Sequence, residues 1–251
     1  MSIAPVRAPH AVHRPLPTGR EAAHHRLCQA LDAAEAGSGT VLALHGSVGS
    51  GRSDLLLRFT DLAAERGATV LLATGSPLER EFPLGLARQL LQSAALDPEQ
   101  AAAAELLLAR GIAESSRGSG PGRLGQPTLE GLFALVRGLA EAGPVLVAVD
   151  DRQDADPESL EFLLYLVRRT RGIGVLTVLS SRETMTPPNP FFEVELARQP
   201  HHRQLRLDVL STAVVAELLR ERFGAAAAAR SAVAAHALTG GNALLVHALL
   251  D

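Results

Sequence analysis

The sequence predicts an α/β protein: three layers, α/β/α, around a central and mainly parallel sheet, with a short helical appendage at the C-terminal end. Three observations predict it. Apolar runs with little alternation, such as Ala68–Thr74 and Gly172–Ser180, have the pattern of strands buried on both faces. The run Thr40–His45 leads into a glycine-rich loop that opens a helix. The run Val145–Val149 ends in two acids, Asp150 and Asp151.

Taken in order, residues 1–17 mix Pro, His and Arg without periodicity and read as a mobile arm. Thr18 is a plausible cap for an amphipathic helix to about Ala36, with Leu27 and Leu31 one turn apart, and Gly37-Ser38-Gly39 ends it. After the glycine loop a helix runs from Ser53 to Arg66 and stops at Gly67. The strand Ala68–Thr74 follows, then a charged turn, Glu79–Gly85, and the helix Leu86–Ala95. Helices Pro98–Ile112 and Thr128–Ala142 flank Ser115–Pro127, a Gly-, Ser-, Pro- and Arg-rich stretch that reads as a mobile surface loop. Asp156-Pro157 has the order of a cap and a first helical residue. Pro187–Pro190 is a loop, and Gln204–Leu210 alternates as an edge strand does. Ser211 caps a helix to Phe223, and two short helices separated by Thr239-Gly240-Gly241-Asn242 complete the chain.

Composition bounds the partners. The net charge of −3 excludes a global basic field of the nucleic-acid-binding kind. Aromatic residues make up only 3%, so the core rests on Leu, Val, Ala and a few Phe. All 24 basic residues are arginines. Cys28 is the lone cysteine, which excludes an internal disulfide and fits a reducing compartment. No apolar run approaches the ~20 residues that span a bilayer, and the N-terminus lacks a signal-peptide core. A cytoplasmic protein without membrane contact is the expectation. The histidine pairs His24-His25 and His201-His202 lack the spacing and further ligands of a metal site.

The loop Gly46-Ser47-Val48-Gly49-Ser50-Gly51-Arg52-Ser53 has the pattern G-x-x-x-x-G-K-[ST] with Arg52 in place of lysine. Glycines allow the backbone to curl with its N–H groups inward, and the helix N-terminus adds positive dipole character for an anion. Asp150 and Asp151 close a strand whose C-terminal end faces the ligand edge of a parallel sheet. One acid can hold Mg²⁺ through water, while the next orients or deprotonates a water nucleophile. The acids Asp150, Asp151, Asp154 and Asp156 lack the glycine and distal glutamate of a calcium loop. Arg182, at the end of another strand, is either a γ-phosphate sensor or a surface charge.

These motifs, with Gly19-Arg20-Glu21 before them and Gly240-Gly241-Asn242 after, fall in an order that resembles one family. The chain looks like the N-terminal P-loop ATPase module of the large ATP-binding LuxR-type transcriptional regulators, in the signal-transduction (STAND) class related to AAA ATPases. The resemblance runs from Gly19 to Leu250. It implies a P-loop NTPase domain over 18–210 and, over 211–251, the start of a C-terminal helical subdomain that the chain truncates. It implies binding of ATP or ADP with Mg²⁺. Gly46, Ser47, Val48, Gly49, Ser50, Gly51, Arg52, Ser53 and Asp54 would border the phosphates, and Ser53 and Asp150 would hold the metal. Asp151 would orient the attacking water, Arg182 would sense the nucleotide, and Gly19, Arg20 and the Gly240–Asn242 turn would flank the adenine.

Three departures shape the expectation. The planar, forked Arg52 cannot copy a compact ammonium between the β- and γ-phosphates, so hydrolysis should be weak or absent. Ala243 stands where the family has proline. Asp251 precedes the winged helix, repeats and helix-turn-helix of the family, so no direct DNA contact is expected from this chain. The expected function is a nucleotide-binding regulatory switch with a protein partner or self-association. The alternatives are a nucleotide-free pseudo-ATPase scaffold and a small-molecule P-loop kinase with Arg117 and Arg123 in its lid.

Overall fold

The computed structural model describes residues 18–117, 124–184 and 188–251. The expected arm over 1–17, the centre of the Ser115–Pro127 loop with Arg123, and Pro187 lie outside the described residues. Five strands form one sheet: β1 (Thr40–Gly46), β2 (Thr69–Thr74), β3 (Val145–Asp150), β4 (Val175–Arg182) and β5 (His202–Leu207). Their order is β2-β3-β4-β1-β5, and every neighbouring pair is parallel.

Alternate residues of each central strand feed two separate cores, as the two-residue period of a strand requires. On one face, Leu42, Leu44, Leu146, Ala148, Leu176 and Val178 pack with Leu27 and Leu31 of α1 (Glu21–Glu35) and with Leu55 and Phe59 of α2 (Arg52–Glu65). On the other, Val41, Val145, Val147, Val149 and Leu179 pack beneath α3 (Gly85–Ser93), α4 (Pro98–Ser115), α5 (Gln126–Ala142), α6 (Pro157–Val167) and α7 (Pro190–Ala197). This is the three-layer α/β/α arrangement, and β3 is buried along its whole length.

A third core belongs to the C-terminal helices α8 (Thr212–Phe223), α9 (Ala225–Thr239) and α10 (Ala243–Leu250). Leu210, Val215, Leu219, Ala232, Val246 and Leu250 gather there, and none of them joins the sheet cores. The helical appendage is therefore packed on itself.

Several local expectations change. β2 is an edge strand with partly exposed residues rather than one buried on both faces, since it pairs with β3 alone. Thr18 does not cap α1; Arg20 stands at the cap position, and Glu21 Oε1 accepts from Gly19 N–H at 2.9 Å. α4 reaches Ser115 and α5 starts at Gln126, so the connecting loop is shorter than its composition suggests. β4 starts at Val175, after a Gly172–Gly174 turn. β5 runs from His202 only to Leu207, leaving Val209 outside the sheet and half exposed.

Caps account for the helix starts that hold. Asp97 and Gln100 form a reciprocal capping box on α4, and Ser211 accepts from Val214 N–H on α8. Asp156 accepts from Ser159 N–H at the start of α6 and also from Leu84 N–H and Leu86 N–H at the start of α3. One carboxylate thus fixes two helix entrances. Burial pushes Asp156 upward, against the pull of these donors. Among the described residues no helix is long and apolar enough to cross a membrane.

Candidate functional site

Strand register brings the predicted motifs to one edge. Gly46 of β1 stands opposite Arg182 of β4, Val149 of β3 opposite Leu179 of β4, and Thr74 of β2 opposite Asp150. The glycine loop, the two acids and Arg182 therefore emerge side by side at the carboxyl ends of the strands, where parallel sheets bind ligands.

The loop turns on Gly49 (φ +75°) and Gly51 (φ +85°), and Gly51 caps α2. Because Gly51 is left-handed, α2 begins at Arg52, one residue before the expected start at Ser53. Three successive loop carbonyls are held from outside the loop. Asn242 Nδ2 donates to Val48 O at 2.7 Å, Leu244 N–H donates to Gly49 O at 3.0 Å, and Arg20 Nη2 donates to Ser50 O at 2.7 Å. Arg20 Nη1 also donates to Asp208 O at 2.8 Å. Burial pushes Arg20 below the usual arginine value, and the charges of Asp208 and Glu21 oppose that shift. Ser50 Oγ is buried without a hydrogen-bond partner, 2.5 Å from where a Cβ on Gly46 would stand.

Arg52 folds back onto the first residue of its own loop and toward Asp151. Its Nη1 donates to Gly46 O at 2.7 Å and its Nη2 lies 3.5 Å from Asp151 Oδ1, while Nε is buried without a partner. Burial pushes the guanidinium downward; Asp151 and Asp150 pull it up, and Arg182 adds repulsion. Ser53 is exposed on the first turn of α2. The Asp54 carboxylate turns along the helix to Arg58 Nε at 2.9 Å, away from the loop.

Asp150 Oδ1 accepts from Ser180 Oγ at 2.5 Å and from Asp151 N–H at 3.0 Å. Asp151 lies just beyond β3 with φ +43°, a left-handed conformation uncommon for a non-glycine residue and of the kind found at functional sites. Gln153 is the hub that sequence reasoning missed. Its Nε2 donates to Asp151 Oδ1 at 2.9 Å and to Asp154 Oδ2 at 3.0 Å, and its Oε1 accepts from Arg182 N–H at 3.0 Å. Arg182 directs its guanidinium to Asp154 Oδ2 at 2.9 Å. Behind these groups, Arg152 is fully buried, pairs with Glu193 and stacks on Phe192. Ser180 was also missed; its only signal is a place on β4 facing the end of β3.

The residues present fit a phosphate ligand and a divalent cation. The loop offers curled backbone, a helix N-terminus and the orphaned Ser50 hydroxyl to phosphate oxygens. Both hydrogen bonds to the Asp150 carboxylate fall on Oδ1, so a cation ligand would be Oδ2. Among the described residues no group of three or more His, Cys, Asp or Glu could hold a metal. A cation here would take its other ligands from phosphate and water.

Comparisons with known proteins agree with the fold. A family model described as the AAA ATPase domain matches residues 16–179. A search of curated proteins finds no match. Among solved structures, the chain is similar to the Aeropyrum pernix ORC1 protein in complex with DNA, with 16% identity, TM-score 0.58, and 94% of this chain and 59% of that one covered. It is also similar to Cdc6p from Pyrobaculum aerophilum, at 14% identity and TM-score 0.53, over 84% of this chain and 51% of that one. A third is the Aeropyrum pernix ORC2 protein, solved as ADPNP-ADP complexes, at 17% identity and TM-score 0.50, over 92% and 67%. At these identities the likeness is one of fold, the α/β P-loop NTPase fold. The chain spans between about half and two thirds of the length of these structures.

Proposed function

This chain belongs to the AAA ATPase domain family, and we propose that it is the ATP- or ADP-binding switch module of a LuxR-type transcriptional regulator, with weak or no hydrolysis. The observation that carries this reading is the convergence of the glycine loop, Asp150, Asp151 and Arg182 at one sheet edge, and the pose of Arg52 there accounts for the weak hydrolysis. The guanidinium is drawn onto Gly46 O and Asp151, the acid that would orient the attacking water.

Each residue has a task in this reading. The loop from Gly46 to Ser53 cradles the phosphates through its N–H groups, and Ser50 Oγ adds a donor. Ser53 and Asp150 hold Mg²⁺, which when bound supplies charge neutralisation at the phosphate oxygens. Asp151 would have to release Arg52 to act on water, and with that pair intact turnover stays low. Gly19, Arg20 and the Gly240–Asn242 turn border the adenine side. Arg182 responds to the γ-phosphate by leaving Asp154. Output passes to a protein partner or a second copy.

Titration calorimetry with ATP and ADP in Mg²⁺ tests the reading, beside Arg52→Lys and Asp150→Ala. Micromolar binding by the natural chain, weakened in Asp150→Ala, supports the switch. Binding by Arg52→Lys alone overturns it in favour of a pseudo-ATPase scaffold, the second reading that the Arg52–Asp151 pair favours. No binding by either chain overturns the nucleotide assignment itself.

A further inference from the structure

The outward clamp on the glycine loop assigns a task to the C-terminal helices. A phosphate loop works by aiming consecutive N–H groups inward, and its carbonyls must then point outward and find donors elsewhere. Here Val48, Gly49 and Ser50 all find them in distant parts of the chain: the Asn242 amide, the Leu244 N–H and the Arg20 guanidinium. Two of the three donors belong to the entrance of α10. Asn242 does two jobs there, because its Oδ1 accepts from Leu244 N–H at 3.1 Å and Leu245 N–H at 3.3 Å while its Nδ2 reaches Val48.

The approach is close. A Cβ on Gly49 would lie 2.5 Å from Asn242 Oδ1 and 3.0 Å from Leu244 Cβ. Asn242 is itself held in place from behind: Gly241 O accepts from Leu210 N–H at 2.7 Å, and His236 Nε2 lies 3.1 Å from Leu210 O. The α8–α10 core is separate from the sheet cores, and these hydrogen bonds join its α10 entrance to the loop.

We propose that Asn242 is a positioning residue for the phosphate loop, acting through the Val48 carbonyl. The entrance of α10 thereby holds the loop in the shape that receives phosphate. The affinity part of this inference rests on the nucleotide reading above; the clamp itself does not.

Asn242→Asp separates the clamp from simple capping. Aspartate caps a helix as well as asparagine does, so α10 keeps its N-terminal acceptor. The donor to Val48 O is lost and an anionic oxygen faces that carbonyl instead. Hydrogen exchange is measured without nucleotide on peptides spanning 46–53 and 240–250, and ADP affinity is then measured by calorimetry. The expected result is roughly tenfold faster exchange in both peptides and roughly tenfold weaker ADP binding, the scale of one lost hydrogen bond. Asn242→Ala, which loses cap and clamp together, exchanges at least as fast. Unchanged exchange over 46–53 in Asn242→Asp overturns the clamp. Faster exchange with unchanged ADP affinity overturns the positioning role. Faster exchange in a chain that binds no ADP in any form upholds the clamp and overturns the nucleotide reading instead.

Discussion

Nη2 of Arg52 stands 3.5 Å from Oδ1 of Asp151, so the cation at the lysine position of the loop is engaged by the acid that follows β3. The pair is partly shielded: Arg52 is 7% exposed and Asp151 34%. A lysine at this position has a shorter polar head and no fork, and it cannot serve Gly46 O and Asp151 as two arms of one group.

Arg52→Lys is accordingly expected to release Asp151 and to raise ATP turnover by about tenfold or more. Phosphate release under saturating ATP checks this, and adding Asp151→Asn to Arg52→Lys is expected to abolish the gain. An unchanged rate in Arg52→Lys would mean that the arginine is not what limits hydrolysis.

Asp156 carries the junction between α3 and α6. Its two oxygens accept from Leu84, Leu86 and Ser159 N–H groups, and Leu84 sits at φ +58°. Asp156→Ala leaves three buried donors without their acceptor and is expected to cost about 3 kcal/mol in urea unfolding. Asp156→Asn, which keeps one acceptor oxygen, is expected to lose about half of that. Equal stability of all three chains would show that the turn rearranges to satisfy its own donors.

Gly49 is the loop position where both backbone and space demand glycine. With φ at +75° and Asn242 Oδ1 at 2.5 Å from the site of a Cβ, Gly49→Ala is expected to destabilise the fold by about 1–2 kcal/mol. Gly138→Ala is the control, since a Cβ there meets nothing within 4 Å and α5 is helical. Thermal unfolding of the two variants should move in opposite directions, with Gly138→Ala slightly stabilised.

The histidines at the sheet edge predict acid sensitivity. Burial pushes His45 and His202 below the ordinary imidazole value, and Arg152 and Arg52 near His45 reinforce that shift against Glu193 and Glu183. The folded state thus prefers neutral imidazole. The stability tied to these groups is full above the unfolded value of about 6.5 and is lost as the pH falls from there through the folded values. The midpoint of thermal unfolding should drop between pH 7.5 and 5.5, and His45→Gln should drop less. A flat profile over that range would mean that both rings protonate in place.

Much of the fold was legible in the residues because its causes are local. The uninterrupted apolar runs of β3 and β4 mark them as buried strands, and the caps Asp156 and Ser211 mark their helices without help from packing. β2 misled because an apolar run reads the same on an edge as in the centre; only the absence of a second neighbouring strand exposes it. Thr18 misled because any threonine before a helical pattern resembles a cap, whereas here Arg20 leaves the helix start to serve Ser50 and Asp208.

By itself the sequence determined the glycine loop after β1, the acids at the end of β3 and the order of strands and helices apart from α7, which begins at Pro190 where a loop was expected, since periodicity and turn chemistry act over a few neighbouring residues. The tertiary structure alone decided who holds the loop and the acids. Gln153 on Asp151, Ser180 on Asp150, Arg52 on Asp151 and Asn242 on Val48 are contacts between side chains or carbonyls whose partners are chosen by strand register and by helix docking. Such contacts leave no periodic trace along the chain, because buried polar groups take whichever partner the packed layers bring within hydrogen-bond reach.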